Sequence, residues 1–168
     1  MSAKESAAGN RPLLMTMMTE HVWNGCVVPD DRLYDLELHV WVQLEEDQAL
    51  LGMTDVAQTM GGRVVAVSWK RLGRKLRRGQ TIAVIESAKW VGPFPTPLSG
   101  TLVTVNDSAY AADIAIGNRD PYGAGWMARV APTAVEEERS HLCNAETAYE
   151  FYREFTDERE IRCYRCAK

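Results

Sequence analysis

Apolar and polar positions alternate through Leu38-His39-Val40-Trp41-Val42-Gln43-Leu44, the period of two that a half-buried strand imposes. The acidic run Glu45-Glu46-Asp47 then turns the chain into Ala49-Leu50-Leu51-Gly52-Met53, where the strand pattern ends. Thr54 opens a different pattern. A capping residue followed by apolar Val56, Ala57 and Met60 predicts a short helix, stopped by Gly61-Gly62. From there to Val130 the glycine and proline punctuation predicts strands and turns, and Val27-Val28-Pro29-Asp30-Asp31 reads as a turn leading into the body. After Pro132 the period changes again. Leu142, Ala145, Ala148, Tyr149, Tyr152 and Phe155 fall at helical spacing, which predicts one C-terminal helix or two short ones packed on the sheet structure. Residues 1–20 lack periodicity and read as a flexible leader, 21–132 as the main domain, and 133–168 as a helical extension and tail.

The middle of the chain is nearly two-fold symmetric. Gly61-Gly62-Arg63-Val64-Val65-Ala66-Val67 before residue 89 answers Ser99-Gly100-Thr101-Leu102-Val103-Thr104-Val105 after it. Between them the apolar strand Ile82-Ala83-Val84-Ile85 runs into Glu86-Ser87-Ala88-Lys89-Trp90. The arrangement predicts a mainly β fold, a flattened barrel that presents Lys89 at a hairpin tip, with one short internal helix and a C-terminal helix.

Composition narrows the function classes. At 168 residues, 46% of them hydrophobic and 25% charged, the chain fits one ordinary globular domain. A formal net charge of −4 gives no general affinity for nucleic acid. No apolar run approaches the ~20 residues needed to cross a bilayer, and Leu13-Leu14-Met15-Thr16-Met17-Met18 is too short for a secretory core. A cytoplasmic location without membrane insertion is therefore expected. No Ser/His/Asp or Cys/His arrangement, phosphate loop or catalytic carboxylate pair has motif support, so the expectation is a protein that is not itself an enzyme.

Six ordered motifs between Val28 and Pro132 carry a resemblance. They are His39-Val40-Trp41-Val42, Gly52-Met53-Thr54-Asp55-Val56-Ala57-Gln58, Glu86-Ser87-Ala88-Lys89, Pro97-Leu98-Ser99-Gly100, Val105-Asn106 and Asp120-Pro121-Tyr122-Gly123-Ala124-Gly125-Trp126. The segment resembles the glycine cleavage H protein and its lipoyl-carrying relatives. The resemblance implies a lipoyl/biotinyl-type barrel, or hybrid barrel-sandwich. It also implies lipoic acid bound covalently as an amide to Lys89, with Glu86 and Ser87 helping lipoate-attaching enzymes to recognise the turn.

Three features depart from the usual glycine cleavage pattern. Trp90 sets a large apolar plate beside the attachment position, where an arm would rest or a partner would touch. Lys70, Arg71, Arg74, Lys75, Arg77 and Arg78 form a basic block on one turn, either a solvated face or a surface that steers an acidic partner. The block lacks interleaved aromatics, which argues against nucleic acid. The front end Asn24–Asp35, together with Lys89-Trp90-Val91-Gly92-Pro93, is more similar to the lipoate-binding proteins of the heterodisulfide reductase-like pathway of sulfur oxidation. That resemblance implies a carrier of sulfur-containing intermediates, with that complex and dihydrolipoamide dehydrogenase as partners. The alternative is the aminomethyl carrier of glycine cleavage, which serves the decarboxylase, aminomethyltransferase and dihydrolipoamide dehydrogenase.

The four cysteines do not make a disulfide framework at this length and are expected to stay reduced. Cys163-Tyr164-Arg165-Cys166 has metal or redox spacing, but His141-Leu142-Cys143 is too tight for the other half of a zinc site. The pattern favours a frayed tail with free thiols and no metal. Cys26 reads as a small buried hydrophobe, His39 as a structural histidine within a strand, and His21 as part of the leader.

Overall fold

The computed structural model describes residues 19–166. The chain runs through β1 (Glu20–Trp23), β2 (Cys26–Pro29), β3 (Leu33–Asp35), β4 (Val40–Leu44), β5 (Ala49–Met53), α1 (Asp55–Gly61), β6 (Val64–Trp69) and β7 (Lys75–Leu76). It continues with β8 (Thr81–Ser87), β9 (Val91–Pro95), β10 (Gly100–Val105), α2 (Asp107–Ala112), α3 (Ile116–Arg119), β11 (Ala128–Pro132), α4 (Val135–Glu138) and α5 (Ala145–Glu158). Six strands form one sheet in the order β3-β4-β5-β11-β10-β7, and three form a second in the order β6-β8-β9. The two symmetric strands of the sequence, β6 and β10, fall in different sheets. The architecture is the mainly β barrel-sandwich that the sequence predicts.

Val40, Val42, Leu51, Ile82, Ile85, Phe94, Leu102 and Val130 pack into one apolar cluster drawn from both sheets. Each such side chain taken out of water contributes on the order of 1.5–3 kcal/mol. Strand β4 is buried on both faces. Val40 and Val42 enter this cluster, while Trp41 turns into a second one with Tyr34, Val56, Tyr122 and Tyr152. Trp41 is fully buried, and its Nε1–H donates to the Pro121 carbonyl at 3.0 Å. Its indole lies on its cross-strand partner Gly52, where a Cβ would come within 2.4 Å of ring atoms. Only the absence of a side chain there lets the ring lie flat.

Helix α1 follows its sequence signals closely: the Thr54 side chain accepts from the Ala57 amide, and Gly62 ends the helix at φ 77°. Helix α5 buries Ala145, Ala148, Tyr152 and Thr156, a stripe three and four residues apart, and Asn144 caps it through Thr147 N–H at 2.9 Å. Other boundaries differ. Strand β4 starts at Val40, not Leu38, because His39 sits at φ 56° and breaks the extended run. Helices α2 and α3 occupy a stretch expected to be strand and turn. Each spans only four to six residues and α2 buries Tyr110 alone, so no amphipathic period shows in the sequence. At the front end, Asn24 (φ 49°) and Gly25 (φ 76°) form a two-residue turn that pairs β1 with β2. That Asn-Gly step is a strong hairpin signal which the reading of 27–31 as a turn passes over. His21 accordingly belongs to β1, paired with Asp30 at 2.9 Å and stacked on Tyr149. The rest of the expected leader, 1–18, lies outside the described residues.

The tail overturns two expectations. Cys26 and Cys163, 137 positions apart, form a disulfide, while Cys143 and Cys166 are free thiols. The tail is not frayed. Cys163 N–H donates to Asn24 O at 2.9 Å, Gln58 Nε2 to Tyr164 O at 2.8 Å, and Cys166 N–H to Asn118 O at 3.2 Å. Nothing in the spacing along the chain links two cysteines 137 positions apart, but the β1–β2 hairpin carries Cys26 to a Cα separation of 4.8 Å from Cys163. Among the described residues, no cluster of histidine, cysteine and carboxylate side chains could hold a metal, and no helix is long and apolar enough to cross a membrane.

A cross-link closing so long a loop restricts the unfolded chain. We therefore expect Cys163→Ser, or reduction of the native protein, to lower unfolding stability by about 2–4 kcal/mol. The check is urea unfolding with and without reductant, and equal midpoints would refute it.

Candidate functional site

The β8–β9 hairpin turns at Ser87-Ala88-Lys89-Trp90, where Ser87 N–H donates to Trp90 O at 2.8 Å. The Ser87 hydroxyl oxygen accepts from the amides of Trp90 (3.1 Å) and Lys89 (3.3 Å). Serine thus fixes the turn through its own side chain, a role that follows from local chemistry. Glu86 is exposed opposite Val91, and Lys89 is exposed at the tip. The lysine does not simply point outward. Its stem lies along Gly62 at the end of α1, where a Cβ would stand 2.8 Å from Lys89 Cε and 3.6 Å from Cδ and Cγ. Gly62 combines a positive φ with this close approach, so glycine suits it twice over. Trp90 folds back over Gly92, where a Cβ would meet its ring at 1.9 Å, and keeps 43% of its surface exposed.

Between this tip and α1 lies a cleft of about 400 Å³. Met53, Met60, Ile85, Trp90 and Phe94 supply apolar walls, and Gly61 and Gly62 part of the rim. Among the described residues, His39, Gln58 and the Trp90 indole N–H are its polar groups, and no carboxylate, lysine or arginine lines it. Gln58 is held by Asp55, Asn118 and the tail carbonyl of Tyr164. His39 Nδ1 lies 3.0 Å from the Tyr152 hydroxyl of α5. The structural role expected for His39 is therefore met, but the same residue also faces the cleft. As a helix stop and strand start, Gly61-Gly62 gives no sign in the sequence of this wall, since the period of a short helix does not tell which distant strand it faces.

The basic block is divided by the fold. Arg78 is drawn inward, 2.8 Å from the buried Asp35 carboxylate and 3.3 Å from Glu37, with its side chain only 18% exposed. It does not belong to the exposed face expected for it, because Asp35, buried without solvent, requires a cation. Lys70, Arg71, Arg74, Lys75 and Arg77 remain on the surface between β6 and β8. That loop is at the far end of the three-stranded sheet from Lys89, since Trp69 pairs with Ala83 whereas Val64 pairs with Ser87.

Burial holds the His39 imidazole below its ordinary value of 6.5; Asp35 pulls it partly back up and Arg159 pushes it further down. The ring is therefore neutral near pH 7 and the cleft uncharged. Below about pH 6.5 the unfolded chain takes up a proton that the folded chain resists. This contribution to stability is thus intact above that pH and lost as pH falls through the lowered folded value. We expect the thermal midpoint to drop between about pH 7 and 5, and to drop less in His39→Asn, asparagine being tolerant of positive φ. Parallel pH profiles for the two proteins would refute the assignment.

Residues 32–155 match the family described as Glycine cleavage H-protein. Glycine cleavage system H protein 5 of Aquifex aeolicus is 40% identical over 144 residues, spanning 83% of this chain and 97% of that protein. A probable glycine cleavage system H protein 2 of Sulfolobus acidocaldarius is 37% identical over 143 residues, spanning 83% of this chain and 95% of that one. The crystal structure of a glycine cleavage system H protein from Mycobacterium marinum superposes with a TM-score of 0.64 at 34% identity, covering 74% of this chain and 98% of that chain. Proteins of this kind meet lipoate-attaching enzymes and dihydrolipoamide dehydrogenase. With an exposed hairpin lysine beside an apolar cleft, and with these likenesses over most of its length, the chain belongs to the glycine cleavage H-protein family, whose members are carriers, not enzymes, and hold lipoic acid covalently on a lysine.

Proposed function

We propose that this chain carries lipoic acid as an amide on Lys89 and shuttles sulfur-containing intermediates to a cytoplasmic heterodisulfide reductase-like complex. The observation that carries the reading is the uncharged cleft beside the lysine. When attached, lipoamide supplies a pair of sulfurs that take up and release cargo by thiol–disulfide exchange. The chain's own residues do the rest. Ser87 fixes the turn that presents the lysine, Gly62 gives its stem a bed, and Met53, Met60, Trp90 and Phe94 exclude water from the cleft. These residues fit an apolar arm, whose burial is favourable by roughly 0.8 kcal/mol per CH₂.

The same cleft weighs between cargoes. An aminomethyl group is an amine, protonated near neutral pH, and burying an ammonium without an anionic partner is costly. Among the described residues no carboxylate lines this cleft, and its polar groups are neutral His39, Gln58 and the Trp90 indole N–H. An uncharged sulfur adduct meets no such penalty. The relatives' names favour the second reading, an H protein passing the aminomethyl group between decarboxylase and aminomethyltransferase. Yet H proteins numbered 5, 3 and 2 occur in Aquifex aeolicus alone, more than one carrier for one glycine cleavage system requires. A cytoplasmic location also asks the Cys26–Cys163 bond to persist among reductants. Cys26 is 2% exposed and Cys163 half-buried, which limits attack to the Cys163 sulfur.

The deciding experiment is the intact mass of protein from its native host, before and after reductant, with the modified peptide mapped. We expect a lipoyl increment on Lys89 that vanishes in Lys89→Arg, together with reductant-labile extra sulfur. An aminomethyl adduct would transfer the chain to glycine cleavage, and an unmodified Lys89 would remove both readings.

A further inference from the structure

The loop between β6 and β8 is built as a platform. Lys70 N–H donates to Ile82 O at 2.8 Å, Gly73 N–H to Leu102 O at 2.8 Å, and Leu102 N–H to Arg74 O at 2.9 Å. Short strand β7 adds pairing to Gly100 and Thr101, and Leu76 is sunk in the core at 5% exposure. On this anchored base stand exposed Arg71, Arg74, Lys75 and Arg77 and half-buried Lys70, flanking in sequence Leu72, which is 52% exposed. Among the described residues none of these five cations forms an ion pair, whereas Arg32, Arg78, Arg119 and Arg129 each sit against a carboxylate. The chain holds 23 acidic residues and a net charge of −4, so carboxylates are not scarce. Five unneutralised cations on a fixed loop, in an acidic protein, repel one another without compensation in the free molecule.

We propose that this loop is a docking surface for an acidic patch on another protein, which holds the carrier by the end opposite Lys89. An acidic protein patch fits better than an extended polyanion. At physiological ionic strength charges are screened over about 8 Å, so a local patch senses the loop and little of the acidic body. A nucleic acid or an anionic membrane extends far beyond that range and meets the rest of a net-negative surface. The loop also offers no exposed ring for base stacking: Trp69, at its edge, packs on Tyr110 with ring centroids 5.4 Å apart. Leu72 adds an exposed apolar side chain among these cations in sequence, the mix of apolar and charged groups found in protein contacts.

Position gives the surface its use. Five residue steps along β8 lead from Ile82, beside Lys70, to Ser87 at the tip, roughly 17 Å at the rise of a strand. A partner held at the loop leaves the lysine turn uncovered, so tethering and presentation of the arm occur at once. Because loop and tip stand at the two ends of one rigid sheet, two proteins can engage the carrier together. The inference goes beyond the carrier reading and does not need Lys89 to be modified.

The test places a photo-crosslinking residue at the loop centre, Leu72→benzoylphenylalanine, in the full chain expressed in its native host. We expect a cross-link to a protein, mapping to a segment rich in Asp and Glu. Combined Lys70→Glu, Arg71→Glu, Arg74→Glu, Lys75→Glu and Arg77→Glu substitutions should lower its yield at least about tenfold. Raised salt applied to permeabilised cells should weaken it likewise, and this arm needs no variant to fold. No cross-link, one to nucleic acid or lipid, or a protein cross-link indifferent to both charge reversal and salt, would each overturn the proposal. The mass of Lys89 in the same cells is read separately, so its failure removes the carrier reading and leaves this result standing.

Discussion

The carboxylate of Asp55 is the constraint on which the working half of this molecule depends. It is 1% exposed, and a buried charge survives only where donors surround it. Those donors come from distant parts of the chain: Val27 N–H at 2.9 Å from β2, Gln58 Nε2 at 3.2 Å within α1, and the Arg165 guanidinium at 3.2 and 3.3 Å from the tail. The Asp55 amide donates in turn to Tyr122 Oη, which donates to Val27 O. Standing in the first turn of α1, the negative charge also favours the positive end of the helix. One side chain therefore fixes where α1 lies, and α1 supplies one wall of the cleft and the Gly62 bed of Lys89.

The carrier tip joins two demands that oppose each other. A lysine that carries an arm, the role proposed for Lys89, must be reachable by other proteins, yet an apolar arm is unfavourable in water. The fold meets the first by fixing a four-residue turn through the Ser87 hydroxyl, and the second by leaving an apolar cleft one side chain away. Trp90 serves both. The residue stays 43% exposed on one side, while on the other it lines the cleft and lies over Gly92.

Charge is distributed with similar division. Where the fold needs cohesion, cations are matched to carboxylates, as Arg78 is to Asp35 and Arg165 to Asp55. On the loop between β6 and β8 they are left unmatched among the described residues. Arg78 is separated from Arg77 by one bond of sequence and by a change of function: one side chain turns in to neutralise a buried acid, and the other stays in water.

The local patterns in the sequence determined the mainly β class, the Thr54-capped helix, the Lys89 hairpin and the C-terminal helix. Each rests on interactions within a few residues, such as a cap, a glycine stop or a two-residue alternation, and so is written in the order of the chain. The Asn24-Gly25 turn was equally legible, and α2 and α3 were not, being too short to display a period. Tertiary structure alone decided the rest: the bond between Cys26 and Cys163, the loss of Arg78 from the basic face, the meeting of His39, Gln58 and Gly62 around one cleft, and the contact of the Lys89 stem with Gly62. Those pairings join residues tens of positions apart. Which of many compatible side chains meet is set by how the two sheets and α5 close on their cores, a property of three-dimensional packing that no spacing along the chain encodes.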